Sequence, residues 1–192
     1  MTFPAFELEE KQFYCEHFRD TPSNRLLIQQ FTVKNSSGKN LVGFLQELAP
    51  YNEESNADRT YLVKDKATHE IAGYFALRNG LFALDAGSGN MFTIPSIELS
   101  NFAVNETYRQ QHPDIKRIGE LIFKRFILPL SKHIQSLTGV QALYIYALPE
   151  DRLIDHYGSF GFTRLEKADE KFVYDRVKPA YDDGCIFMYQ IL

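Results

Sequence analysis

The stretch "PSIELSNFAVNETYR", Pro95 to Arg109, decides the reading of the fold. Ile97 and Leu99 are apolar at odd positions, with Glu98 and Ser100 between them, whereas Phe102 and Val104 are apolar at even positions. Side chains on a strand alternate between faces with a period of two, so a flat strand keeps its apolar residues on one parity. Here the phase changes near Asn101, and a carboxylate stands just before the change. One extra residue, a β-bulge, absorbs such a slip. A bulge leaves backbone N–H and C=O groups that need partners outside the ladder, and a ligand with amide groups can supply them.

On either side of this stretch the pattern alternates between strands and helices. Before it, "NLVGFLQELA" (Asn40–Ala49) has Leu41, Phe44, Leu45 and Leu48 at helical spacing, with Asn40 as N-cap and Pro50 as terminator. "TYLVKD" (Thr60–Asp65) and "EIAGYFALRNG" (Glu70–Gly80) read as a hairpin around "KATH". "LFALDAGSGNMFT" reads as a glycine-bearing connection, flexible in its middle. After the quoted strand, Ile118, Ile122, Phe126, Leu130 and Ile134 recur every four residues, one apolar stripe on a long helix. Pro129 predicts a kink in it, because proline has no N–H to donate, and Gly139 is the expected C-cap. "QALYIYALP" (Gln141–Pro149) is a buried strand, "EDRLIDHYGSFGF" a short helix closed by Gly161, and "CIFMYQIL" (Cys185–Leu192) a last strand. Strand, long helix, strand implies a parallel crossover, and the early hairpin implies antiparallel pairing. The expected fold is mixed α/β, a mostly antiparallel sheet with a parallel splayed pair in its centre and helices on both faces, formed by residues 1–192 as one domain.

Bulk composition narrows the function classes. The chain has 192 residues, 44% hydrophobic and 24% charged, as in an ordinary globular protein. Sixteen Phe and eleven Tyr against no Trp predict an aromatic core. A net charge of −4 argues against a strongly basic nucleic-acid platform. Cys15 and Cys185 are far apart in sequence, and Cys15 with His17 makes only half a metal site, so neither a disulfide nor a metal is expected. "MTFPAFELEEK" lacks the basic and apolar regions of a signal peptide, and no run reaches the roughly 18 apolar residues of a membrane span. The expectation is a cytoplasmic protein.

Four pieces of the chain, "TYLVKDKATHEIAGYFAL", "IELSNFAV", "IGELIF" and "LIDHYGSFGF", together resemble the GCN5-related N-acetyltransferase (GNAT) superfamily. The likeness covers roughly Leu41 to Phe162, and the Tyr–x–x–x–Gly–Phe run from Tyr157 is its most specific part. The front of the chain, "FYCEHF" and "LVGFLQELA", looks like the branch containing the acetyltransferase toxins of bacterial toxin–antitoxin pairs. The resemblance implies acetyl-CoA as cosubstrate, no metal, and a primary amine as acceptor. It places the pantetheine arm on the backbone of Phe102, Ala103 and Val104. The pyrophosphate falls on the loop and helix start around Lys116, Arg117, Ile118, Gly119 and Glu120. The family pattern, Gln/Arg–x–x–Gly–x–Gly/Ala, maps onto Asp114–Gly119, where only Gly119 matches: Asp114 replaces the Gln or Arg and Arg117 the first Gly. Glu98 matches a general base and Tyr157 the tyrosine that protonates the CoA thiolate.

The same residues have plainer readings: Glu98 as an ordinary strand carboxylate, Tyr157 as a core tyrosine, Lys116 and Arg117 as solvated charges. Acetylation of aminoacyl-tRNA, which would demand a salt-dependent basic surface, and a non-catalytic CoA-binding module are the alternative functions. A homodimer is compatible with either.

Overall fold

The computed structural model describes residues 8–176 and 184–192. Its strands form a seven-stranded sheet in the order β1-β2-β3-β4-β5-β7-β6. These are β1 (Phe13–His17), β2 (Arg59–Asp65), β3 (Ile71–Gly87), β4 (Asn90–Val104), β5 (Ala142–Ala147), β6 (Thr163–Arg164) and β7 (Ile186–Ile191). β1 runs antiparallel to β2, and β7 antiparallel to both β5 and β6, whereas β4 and β5 are parallel. The parallel pair therefore sits centrally in a mostly antiparallel sheet, as the strand order implied. The chain separates into two compact units, Met1–Ala76 with Asn101–Leu130, and Leu77–Ser100 with Ser131–Leu192.

In the first unit, Phe18, Ile28, Phe31, Phe44, Leu45, Leu62, Ile71 and Tyr74 build an aromatic-rich core. The turn between β2 and β3 is shaped by Asp65, whose carboxylate accepts the N–H groups of Ala67 (2.7 Å) and Thr68 (3.3 Å). This is an aspartate turn of the kind that stands in for stronger turn residues. Asn105 lets the chain leave β4 for α4 (Glu106–Gln111), because its side chain accepts from Thr107 N–H and donates to the Ile71 carbonyl. β1 and α4 went unread in the sequence here, as did α1 (Pro22–Gln29), which Thr21 caps by accepting from Asn24 N–H with Pro22 at the first helical position.

Two helices meet a proline in the same way. α2 (Lys39–Gly43) passes through a wide π turn, Phe44–Leu48, into α3 (Ala49–Glu54), which contains Pro50. α5 (Ile118–Ile122) passes through a π turn, Phe123–Ile127, into α6 (Leu128–Leu137), which contains Pro129. In both, the residue just before the proline donates five residues back: Ala49 to Phe44, and Leu128 to Phe123. Proline cannot donate to the carbonyl four residues behind it and clashes with that carbonyl, so a wider turn carries the helix past it. Pro50 therefore does not terminate its helix, and Pro129 sits just after a wide turn. The extra residue in the turn also moves the buried position by one. Leu48, expected to face inward, is 52% exposed, and Ala49 is fully buried in its place. α6 ends at Leu137, and Gly139 follows without the positive φ of a left-handed cap.

In the second unit, the segment expected to be a flexible connection is strand. β3 runs to Gly87 and β4 starts at Asn90, leaving Ser88 and Gly89 as a two-residue loop. Ser88 (φ 53°) and Gly89 (φ 79°) are both left-handed, the conformation whose twist matches a hairpin. The glycines read as flexibility are thus the geometry of a tight turn. Phe82, Ile94, Ala142, Tyr144, Val173 and Phe187 form this unit's core. Val173 comes from α8 (Lys167–Arg176), a helix so polar that its sequence carries almost no apolar period.

Candidate active site

The parallel ladder between β4 and β5 has three rungs, Ser96–Ala142, Ile97–Leu143 and Glu98–Tyr144. β5 continues through Ile145, Tyr146 and Ala147, still paired with β7. The parallel ladder thus ends at Glu98. Burial along β4 changes at the same place. Ser96 and Glu98 are buried, whereas Ser100, Phe102 and Val104 are half-buried. On the other parity Ile97, Leu99 and Ala103 remain buried. The apolar phase slip in the sequence is therefore not a slip in burial. Phe102 and Val104 are apolar residues on a face that opens.

Glu98 is 4% exposed, not an ordinary solvent-facing strand carboxylate. Arg78 on β3 donates to it twice, Nε to Oε2 at 3.0 Å and Nη2 to Oε1 at 2.8 Å, the planar fork that suits a carboxylate. The Tyr144 hydroxyl donates to Oε2 at 2.8 Å. Burial first, and then Glu98, push the phenols of Tyr144 and Tyr146 well up, so both stay protonated. Gly80 on β3 makes this arrangement possible, since a Cβ there would overlap the Tyr144 hydroxyl and ring. Arg78 was not singled out in the sequence, and Tyr144 read only as core. Twenty residues separate Arg78 from Glu98, and strand register alone brings them together.

Tyr157, also in the second unit, lies on α7 (Asp151–Ser159) and is 4% exposed. Its ring packs edgewise on Phe162 (5.6 Å) and Phe160 (6.3 Å). Burial raises its phenol pKa. Gly161 (φ 94°) turns the chain after the helix, so that Phe162 N–H reaches the Tyr157 carbonyl. The Tyr–x–x–x–Gly–Phe run is thus a helix end that holds the tyrosine between two phenylalanines.

The expected cofactor residues all fall in the first unit. Gly73 on β3 lies against β4, where a Cβ would sit 2.8 Å from the Ala103 carbonyl oxygen and 2.5 Å from Ile122 Cδ1. At the start of α5, Arg117 has φ 56° and ψ 39°, the left-handed conformation that glycine adopts freely. Arginine thus holds the backbone shape that the family pattern assigns to glycine. Its side chain is 80% exposed and reaches Glu120 (3.2 Å), which also binds Lys124 (2.7 Å). A hydrogen bond from Lys124 leads the causes that hold the Glu120 carboxyl below its usual range. Lys116 donates to the Pro113 carbonyl, Asp114 is exposed, and Ile118 is buried and anchors the helix start beside Gly119.

Among the described residues no group of three or more His, Cys, Asp or Glu side chains could hold a metal, and no helix is long and apolar enough to cross a membrane. Both cysteines are thiols, and burial pushes that of Cys15 up.

No protein-family model and no curated protein matches the sequence. Solved structures do match the fold. A tyrosine-to-phenylalanine mutant of the toxin AtaT superposes with a TM-score of 0.67 at 16% identity, over 95% of this chain and 91% of that one. A tyrosine-to-phenylalanine mutant of KacT gives 0.66 at 16% identity, over 94% and 95%. AtaT complexed with acetyl-methionyl-tRNAfMet gives 0.61 at 18% identity, over 93% and 94%. The chain has the GNAT fold of these toxins. The likeness runs through nearly the whole length of both partners, including the front and end that the sequence motifs covered only weakly.

Proposed function

We propose that this protein is an N-acetyltransferase in which residues 1–192 act as one domain. It moves an acetyl group from acetyl-CoA to a primary amine by direct attack in a ternary complex. The observation that carries the reading is the end of the parallel ladder at Glu98–Tyr144, beyond which β4 continues with a half-buried face. A strand released from its parallel ladder suits the amides of pantetheine. The backbone of Phe102, Ala103 and Val104 takes that arm. The N–H groups of Ile118, Gly119 and Glu120, with Lys116 and Arg117, take the pyrophosphate, since a helix start favours anions. AtaT is solved with acetyl-CoA, which supports the same cosubstrate here.

In the reaction the amine nitrogen attacks the thioester carbonyl carbon, a C–N bond forms, the C–S bond breaks, and the thiolate leaves. The amine must lose a proton and the sulfur gain one. Tyr157 is the donor in this reading. Burial keeps its phenol protonated, and the hydroxyl hydrogen-bonds the sulfur as charge builds on it. Glu98 takes the amine proton only if it gives up a bond to Arg78 or Tyr144, and otherwise the proton passes to solvent water.

A second reading narrows the acceptor to the amino group of an aminoacyl-tRNA, with an antitoxin as partner. It is supported by AtaT, which is solved with acetyl-methionyl-tRNAfMet and with the C-terminus of its antitoxin AtaR. The test is calorimetric titration with acetyl-CoA followed by transfer assays on Tyr157→Phe. Binding in the micromolar range is expected, with a loss of about 10²–10⁴ in kcat for the variant at unchanged CoA affinity. Absence of CoA binding at millimolar concentration removes the reading. Binding without turnover on any amine points to a non-catalytic module.

A further inference from the structure

We infer that Arg78, Glu98 and Tyr144 form a clamp across three neighbouring strands that fixes where the β4–β5 ladder ends. Glu98 works through this clamp as a positioning residue and is not the base that deprotonates the amine. The inference deepens the acetyl-transfer reading and rests on it for its kinetic part.

Three observations carry it. Glu98 is the last rung of the parallel ladder, and its partner in register is Tyr144. From that rung its carboxylate reaches β3 through two bonds from Arg78 and β5 through one bond from Tyr144. One side chain thus ties the strands on both sides of β4 at the point where parallel pairing stops. Second, the carboxylate has about four lone-pair sites, and these bonds fill three of them. A guanidinium does not deprotonate, so its two bonds hold the carboxylate in place and leave it little freedom to turn toward an amine. A base needs a vacancy and a route for its proton, and this carboxylate has little of either. Third, β3 carries glycine at position 80, where a Cβ would overlap the Tyr144 hydroxyl and ring. Residues 78 and 80 share a face of β3, so the strand that supplies the guanidinium also makes room for the phenol. Such space has no purpose for an exposed carboxylate. It is needed if the hydroxyl must reach Glu98.

The clamp predicts that conservative loss of either end has the same consequence. Full-length Glu98→Gln, Tyr144→Phe and the double variant are compared by calorimetry with CoA, by thermal unfolding and by the pH profile of kcat/KM. Each single variant weakens CoA binding about 3- to 10-fold, the size of one ordinary hydrogen bond. The double variant is no worse than the more affected single, because both break one network. Every variant that turns over keeps the wild-type limbs of the pH profile. The inference is overturned if Glu98→Gln abolishes the acidic limb while Tyr144→Phe binds CoA and unfolds like wild type. Should the wild-type chain bind no CoA, the acetyl-transfer reading fails by itself. Additive losses of unfolding temperature then overturn the clamp, and non-additive losses uphold it.

Discussion

The ladder end at Glu98 and the loop from Asp114 to Gly119 satisfy their polar groups in opposite ways. At Glu98, side chains from three strands satisfy one another inside the protein, and little is left for solvent. At the loop, the charged side chains are exposed and pair along the surface, while the backbone is held in a conformation costly for arginine. Rigidity comes from side chains in the first region and from the main chain in the second. A site that opens a sheet needs a fixed edge.

The contrast can be broken first at its buried side. Glu98→Ala leaves a partly buried guanidinium without its counter-charge. Such losses run to roughly 3–5 kcal/mol, and because Arg78 is one-third exposed, about 2–3 kcal/mol is expected from chemical unfolding. A loss below the error of the measurement would make the pair a surface ion pair in all but appearance. Gly80→Ala tests the same cluster sterically. It should cost about 1–2 kcal/mol, the range for overpacking, and Tyr144→Phe in the same chain should recover part of it. The loop should respond with the opposite sign. Arg117→Gly relieves a left-handed arginine and should be neutral to stabilising by up to about 1 kcal/mol. If it instead destabilises the fold, the left-handed backbone is not what sets this helix start.

The sequence made the central strand order legible because apolar runs and glycine punctuation coincided there. The parallel pair, the long helix and the Tyr157 helix end all follow from local signals. The hairpin through Gly87 and Gly89 was misread because the same residues serve a flexible linker and a left-handed turn, and only strand pairing tells the two apart. α8 was missed because one buried residue, Val173, gives no period. At the candidate site, Glu98 could be singled out from its place before the phase change. Its partners could not, because register in a folded sheet, and not spacing in the chain, brings Arg78 and Tyr144 to it. The left-handed Arg117 was legible only as a departure from a pattern. That the backbone keeps glycine's shape is a property of φ, which composition does not reveal.

The wide turn before Pro129 has a further consequence for the stripe Ile118, Ile122, Phe126 and Leu130. In a regular α-helix four residues advance about 400°, so a four-residue repeat winds around the axis by about 40° per step. Over the twelve residues from Ile118 to Leu130 the stripe would drift by about 120°, a third of the circumference. Yet all four side chains are buried, at 3%, 0%, 0% and 6% exposure. One residue absorbed by the π turn makes those twelve count as about eleven, which complete just over three whole turns. The drift then shrinks to about 20°, and the apolar seam runs nearly straight along the helix. The turn that carries the chain past a proline also keeps a four-residue rhythm in phase with a 3.6-residue helix.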